Sequence, residues 1–197
     1  TGMKKYAIIR LIDRKIKRLF KKSTVIIEGN SMILDSEDSL NLSILGNHEP
    51  YVTEVIKTKL KKGDIVLDVG ANIGYYTLIF AKIVGKNGRV YAFEPDPTNF
   101  NILKRNVIIN GYSNITLINK AVSDKNEAIK LFICEYNKGM HRIFNSKKNE
   151  KFLEIEAIKL DSYFTNKDKI VNFIKIDVEG AEIKVIKGMN KIIKNSK

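Results

Sequence analysis

Hydrophobic positions follow two periods along this chain, and the change between them marks its parts. In residues 3–22, Ile9, Ile12, Ile16 and Leu19 recur at helical spacing among Lys and Arg, which predicts a basic amphipathic helix. Residues 24–28 and 32–34 read as short strands separated by the turn-forming Gly29-Asn30, and residues 40–45 read as a third strand. His48-Glu49-Pro50 opens a helix reaching about Leu60, with Pro50 suited to its first turn and Lys61-Lys62-Gly63 ending it. Beyond Gly63 the pattern alternates strictly: strand 65–69, helix 75–84, strand 89–94, a helix capped by Asp96-Pro97 and ended by Gly111, and strand 115–119. A further strand ends at Asp177, with a helix after Gly180. Alternation with short connections implies βαβ units, a parallel sheet and helices on both faces. The expected organisation is a basic helix over 1–22, strands and a helix packed on the core over 23–62, and a ligand-binding α/β domain over 63–197.

Charge changes this picture at the ends only. The chain has 35 Lys and Arg against 22 Asp and Glu, a net charge of +13. Residues 1–22 hold nine basic residues and one acid, and residues 184–197 hold five Lys and no acid. Residues 23–183 are left with 21 of each, so the body is neutral. A nucleic-acid groove would have to be built from that balanced body, which argues against one. The basic helix could instead pack on the body, meet a partner, or lie on an anionic membrane surface. A single cysteine, Cys134, excludes an internal disulfide and fits a reducing compartment, and no cleavable signal or spanning segment is visible, so a cytoplasmic location is expected.

The chemistry concentrates where strands end. The first strand of the alternating region carries a single acid, Asp68, and breaks into Gly70-Ala71-Asn72-Ile73-Gly74-Tyr75. In a parallel sheet, ligands sit outside the carboxyl ends of the strands, and glycines there let backbone approach a ligand closely. Asn72 stands where a dinucleotide loop needs its second glycine, so a pyrophosphate is disfavoured. Glu94 ends the second strand, placed to accept hydrogen bonds from ribose hydroxyls, with Pro95 beside it. Two acids at two strand ends without a phosphate loop describe a nucleoside bearing positive charge, and S-adenosylmethionine fits that description.

These pieces resemble the FkbM-type family of S-adenosylmethionine-dependent methyltransferases. The resemblance covers roughly residues 31–189. It is carried by His48-Glu49-Pro50, by Asp68-Val-Gly70-Ala71-Asn72-Ile-Gly74-Tyr75, by Glu94-Pro95-Asp96, by Asn119-Lys120-Ala121, and by Ile176-Asp177-Val178-Glu179-Gly180. It implies a Rossmann-like class I methyltransferase sheet and a donor site drawn from Asp68, Gly70, Ala71, Asn72, Gly74, Tyr75, Glu94, Pro95 and Ala121. It also implies transfer to a hydroxyl on a small molecule or sugar, with Asp177 or Glu179 orienting the alcohol or taking its proton. His48 and His141 are candidate acceptor contacts. No His-and-acid cluster has ligand spacing, so no metal is expected. The family's sheet usually has about seven strands, three of them after the helix that follows Gly180. Since the sequence ends with that helix, those C-terminal strands are expected to be absent and the fourth strand to lie at an open edge, available to a partner or a second copy. An RNA methyltransferase using the basic ends, or a donor-binding module without turnover, would share the same donor site.

Overall fold

The computed structural model describes residues 23–133, 151–165 and 170–196. The helix expected over residues 1–22, Cys134 and His141 lie outside the described residues.

Four parallel strands form the centre: β3 (Ile65–Val69), β4 (Arg89–Phe93), β5 (Ile115–Ile118) and β9 (Phe173–Ile176), in the order β5-β4-β3-β9. Crossovers pass through α3 (Tyr75–Val84) and α4 (Pro97–Ile109), the pattern of a Rossmann-like class I methyltransferase fold. Side chains alternate across this sheet. Val66 and Val90 pack on Ile79, Phe80 and Val84 of α3, and Ala92 packs with Leu103 and Val107 of α4. Leu67, Val69, Tyr91 and Phe93 face the other way, toward Leu160, Val185, Met189 and Ile192. Those residues come from α5 (Leu160–Tyr163), α6 (Glu182–Gly188), α7 (Asn190–Asn195) and the joint between the last two. With apolar side chains buried on both faces, the strands read as nearly continuous apolar runs. Asp68 interrupts the run of β3, and it is wholly buried. Among the described residues β9 pairs with β3 alone, so it forms one edge of this sheet.

The N-terminal hairpin, β1 (Thr24–Ile27) with β2 (Asn30–Ile33), docks on α4 through amide side chains. Asn106 accepts from the Ile33 N–H at 2.7 Å and donates to the Ile33 and Ile73 carbonyls, while Asn110 makes the same two-way contact with Ser31. The turn between the strands is Glu28-Gly29, both with positive φ, not the expected Gly29-Asn30. Asn30 starts β2, where its buried side chain accepts from the Tyr112 hydroxyl.

The strand expected over residues 40–45 is instead a single helical turn, α1 (Leu42–Leu45). The Asp38 carboxylate accepts from the Leu42 and Ser43 N–H groups at 2.8 and 3.0 Å and also bonds the Ser43 hydroxyl, so it satisfies donors that a helix start leaves unpaired. That local capping outweighs the alternation of Leu40, Leu42 and Ile44. Asp38→Ala is expected to cost about 1 kcal/mol, read as a midpoint lowered by about 2–4 °C in thermal unfolding. An unchanged midpoint would return the turn's cause to packing.

The helix α2 (Pro50–Lys59) starts at Pro50, as its sequence predicts. The helix expected after Gly180 is divided at Met189 into α6 and α7. A small second sheet consists of β6 (Ala121–Val122), β8 (Phe152–Ile158) and β7 (Glu127–Phe132), in that order. It joins the main body through Val122, which packs with Ile118 and Leu160, and through Gly188 on α6, whose Cα lies against the Ser123 carbonyl.

Candidate active site

A crevice opens at the carboxyl ends of β3, β4, β5 and β9. Its walls include Gly70 and Asn72 after β3, Glu94 and Pro95 after β4, Lys120 and Ala121 after β5, and Asp177 and Glu179 after β9. Leu131 of the second sheet and Asn99 of α4 also line it. The fold therefore brings seven of the expected site residues together: Gly70, Asn72, Glu94, Pro95, Ala121, Asp177 and Glu179.

Glu94 is the most constrained of them. Its carboxylate accepts from the Asn72 N–H at 2.7 Å through one oxygen and from the Asp96 N–H at 2.9 Å through the other. It is 5% exposed. Burial pushes its pKa up to about 7, with the two backbone N–H groups pulling the other way. Each oxygen keeps a lone pair for a further donor, which is what a ribose diol presents. Asn72 adds to the same wall. Held at φ 52 by the turn, its side-chain Oδ1 is buried and has no hydrogen-bond partner among the described residues. An orphaned acceptor beside a carboxylate fits a ligand rich in hydrogen-bond donors.

Both glycines also have a cause within the chain itself. A Cβ on Gly70 would stand 1.9 Å from the Asp177 carbonyl oxygen, and Gly70 has φ 82. A Cβ on Gly74 would stand 2.6 Å from Leu103 on α4, with φ 98. Contacts within the chain demand both glycines before any ligand enters.

Other expected residues lie beside the crevice instead of lining it. Ala71 packs against Leu78, Ala92 and Leu103. The Tyr75 ring points toward α2, its hydroxyl accepting from the His48 N–H at 3.1 Å, and meets the His48 ring edge-on with centroids 5.6 Å apart. His48 Nε2 is 3.7 Å from Glu49, whose carboxylate takes the Tyr76 hydroxyl proton donor at 2.6 Å. Asp68 lies beneath the crevice floor, where Thr77 Oγ1 donates to it at 2.6 Å. Lys175, missed in the sequence, reaches both Asp68 and Asp177, at 3.7 and 3.3 Å. A lysine inside the apolar run Phe173-Ile-Lys-Ile was the available signal. Lys120, bonded to Glu156 at 2.5 Å, and Asn99 were also missed. Among the described residues no group of three or more His, Cys, Asp or Glu could hold a metal ion, and no helix is long and apolar enough to cross a membrane.

Residues 68–197, which supply every strand end of this crevice, match the model of the methyltransferase FkbM domain. The chain belongs to the FkbM methyltransferase family. The family's methyl donor is S-adenosylmethionine, and Glu94 and Asn72 have the chemistry to hold its nucleoside. Among characterised proteins the chain is similar to a probable cobalt-precorrin-6B C(15)-methyltransferase (decarboxylating) of Saccharolobus solfataricus, 33% identical over 99 residues, 50% of this chain and 47% of that protein. It is also similar to a protein-L-isoaspartate O-methyltransferase of Archaeoglobus fulgidus, 41% identical over 59 residues, 30% of this chain and 27% of that one. The chain thus spans less than half the length of these relatives. Among solved structures, the FkbM methyltransferase of Methylobacillus flagellatus is 20% identical with a TM-score of 0.48, covering 79% of this chain and 39% of its own.

Proposed function

We propose that this FkbM-family chain binds S-adenosylmethionine in the crevice and takes part in methyl transfer to a hydroxyl on a small molecule. The observation that carries the reading is Glu94, a buried carboxylate set on the crevice wall by two backbone N–H groups. The donor, when bound, supplies an electrophilic methyl group on a sulfonium. Glu94 accepts from its ribose hydroxyls, Asn72 Oδ1 accepts from a neighbouring donor group, and Pro95, Ala121 and Leu131 exclude water from the base. Asp177 and Glu179, on the β9 side, orient the incoming hydroxyl and receive its proton. The neutral body over residues 23–183 supports a small acceptor over a polyanion.

Glu94→Ala is expected to weaken S-adenosylmethionine binding by about 1.5–3 kcal/mol, the range for hydrogen bonds to a charged group. Calorimetry on the folded variant reads this directly, and wild-type affinity would remove Glu94 from the donor site. Acceptor class is tested by S-adenosylhomocysteine formation with pools of sugars and small alcohols, and separately with RNA. Turnover on RNA alone would replace the small-molecule reading.

A further inference from the structure

The charge beneath the crevice is organised around Lys175. The β3–β9 register sets Lys175 beside Asp68, and paired residues on neighbouring strands leave the sheet on the same side. Lys175 Nζ lies 3.7 Å from Asp68 Oδ1, 3.3 Å from Asp177 Oδ2 and 3.4 Å from the Gly70 carbonyl oxygen. It also stands 5.0 Å from the centre of the Tyr76 ring. Every one of these groups favours a cation. Asp68 has no exposed surface, and Thr77 satisfies one of its oxygens while the other faces Lys175. The Asp68 pKa is raised above the usual carboxylate range: burial is the largest cause and the Asp177 charge adds to it, while Lys175 and the Thr77 hydroxyl draw it part of the way down. The remaining acids near this cluster are Glu94, which senses Asp68, and Glu49, beyond the Tyr76 hydroxyl.

We propose that Lys175 is a positioning residue of the transfer site: its side chain is the counterion of the buried Asp68 and ties Asp177 to the Gly70 turn. What is transferred there rests on the function proposed above, whereas the charge arrangement stands without it. A neutral side chain at position 175 would leave Asp68 buried with no counterion, and a carboxylate so placed takes up a proton. Asp177 would lose its tie to the turn that carries Gly70 and Asn72. The two tied segments are adjacent walls of the crevice, already joined by the Asp177 N–H donating to the Val69 carbonyl at 3.0 Å, and Lys175 holds the Asp177 carboxylate against them.

The test follows the aspartate carboxylate signals by NMR in ¹³C-Asp-labelled protein, without donor, from about pH 4 to about pH 9. Lys175→Met is expected to move the Asp68 titration to higher pH, and Lys175→Arg to return it toward wild type because the positive charge is restored. Asp177→Asn, at an exposed position, is expected to move it to lower pH by removing a like charge. Loosened packing would not produce opposite shifts from two neighbours. An unchanged Asp68 curve in folded Lys175→Met, or an upward or absent shift in Asp177→Asn, overturns the proposal. Should Lys175→Met fail to fold, the Asp177→Asn result decides alone. Failure of the donor reading shows separately, as absent S-adenosylmethionine binding by wild type with these titrations intact.

Discussion

Replacing Asp177 with asparagine is expected to lower methyl transfer by about 10²–10⁴-fold, the usual worth of a positioned proton acceptor, while leaving S-adenosylmethionine affinity nearly unchanged. The side chain of Asp177 is 56% exposed and its carboxylate meets Lys175 at 3.3 Å, so the core does not depend on its charge. Asparagine keeps the shape and removes both the charge and one acceptor oxygen. An alcohol attacking a sulfonium methyl must be held in line and must lose its proton, and both needs fall on groups at this wall. Glu179, in the left-handed region at φ 48 on the same turn, is the second candidate. Comparing Asp177→Asn with Glu179→Gln for S-adenosylhomocysteine formation, alongside donor calorimetry, divides the roles. The variant that loses turnover and keeps donor affinity identifies the acid that acts on the acceptor. Wild-type turnover in both would leave the crevice with a donor site and no acid in the chemistry.

Gly70→Ala is expected to destabilise the fold by about 3 kcal/mol or more, combining left-handed backbone strain with an overpacked contact. The added methyl meets the Asp177 carbonyl oxygen at 1.9 Å, and backbone cannot swing aside as a flexible side chain can. The ends of β3 and β9 must separate, and both walls of the crevice move with them. A midpoint lowered by about 6–12 °C follows from the usual proportion for chains of this size, and donor binding should fall with it. A variant with wild-type stability and lost donor binding would instead restore a ligand-contact role to this glycine.

The comparison of Gly70 with Glu94 shows what the sequence made legible. Apolar periodicity located the central strands and helices closely, because burial on both faces leaves little room for another pattern. The 75–84 helix and the Asp96 cap, whose side chain accepts from the Asn99 N–H at 2.8 Å, are observed as expected. The position of Glu94 followed from strand-end topology alone. Gly70 was legible as a glycine with positive φ, which it has at 82°, but the close contacts of Gly70 and Gly74 were not, since their neighbours, Asp177 and Leu103, are distant in sequence. Lys175 stood out in the sequence only as a charge inside an apolar run; its partners depend on a register that pairs β9 with β3. Residues 40–45 misled because alternation over six residues is a weaker constraint than one carboxylate capping a turn.

The central claim is that Glu94, as a carboxylate, receives the ribose of S-adenosylmethionine. Its pKa is raised to about 7 by burial, and hydrogen bonds from hydroxyls favour the ionised form. Below that value binding must first expel a proton, so affinity weakens as pH falls and levels off above it. Calorimetric titration of S-adenosylmethionine from about pH 5.5 to about pH 8.5 is predicted to show affinity falling about tenfold per unit below neutrality, with Glu94→Gln weaker at high pH and without that slope. A flat wild-type profile, or the same slope in Glu94→Gln, would contradict the account.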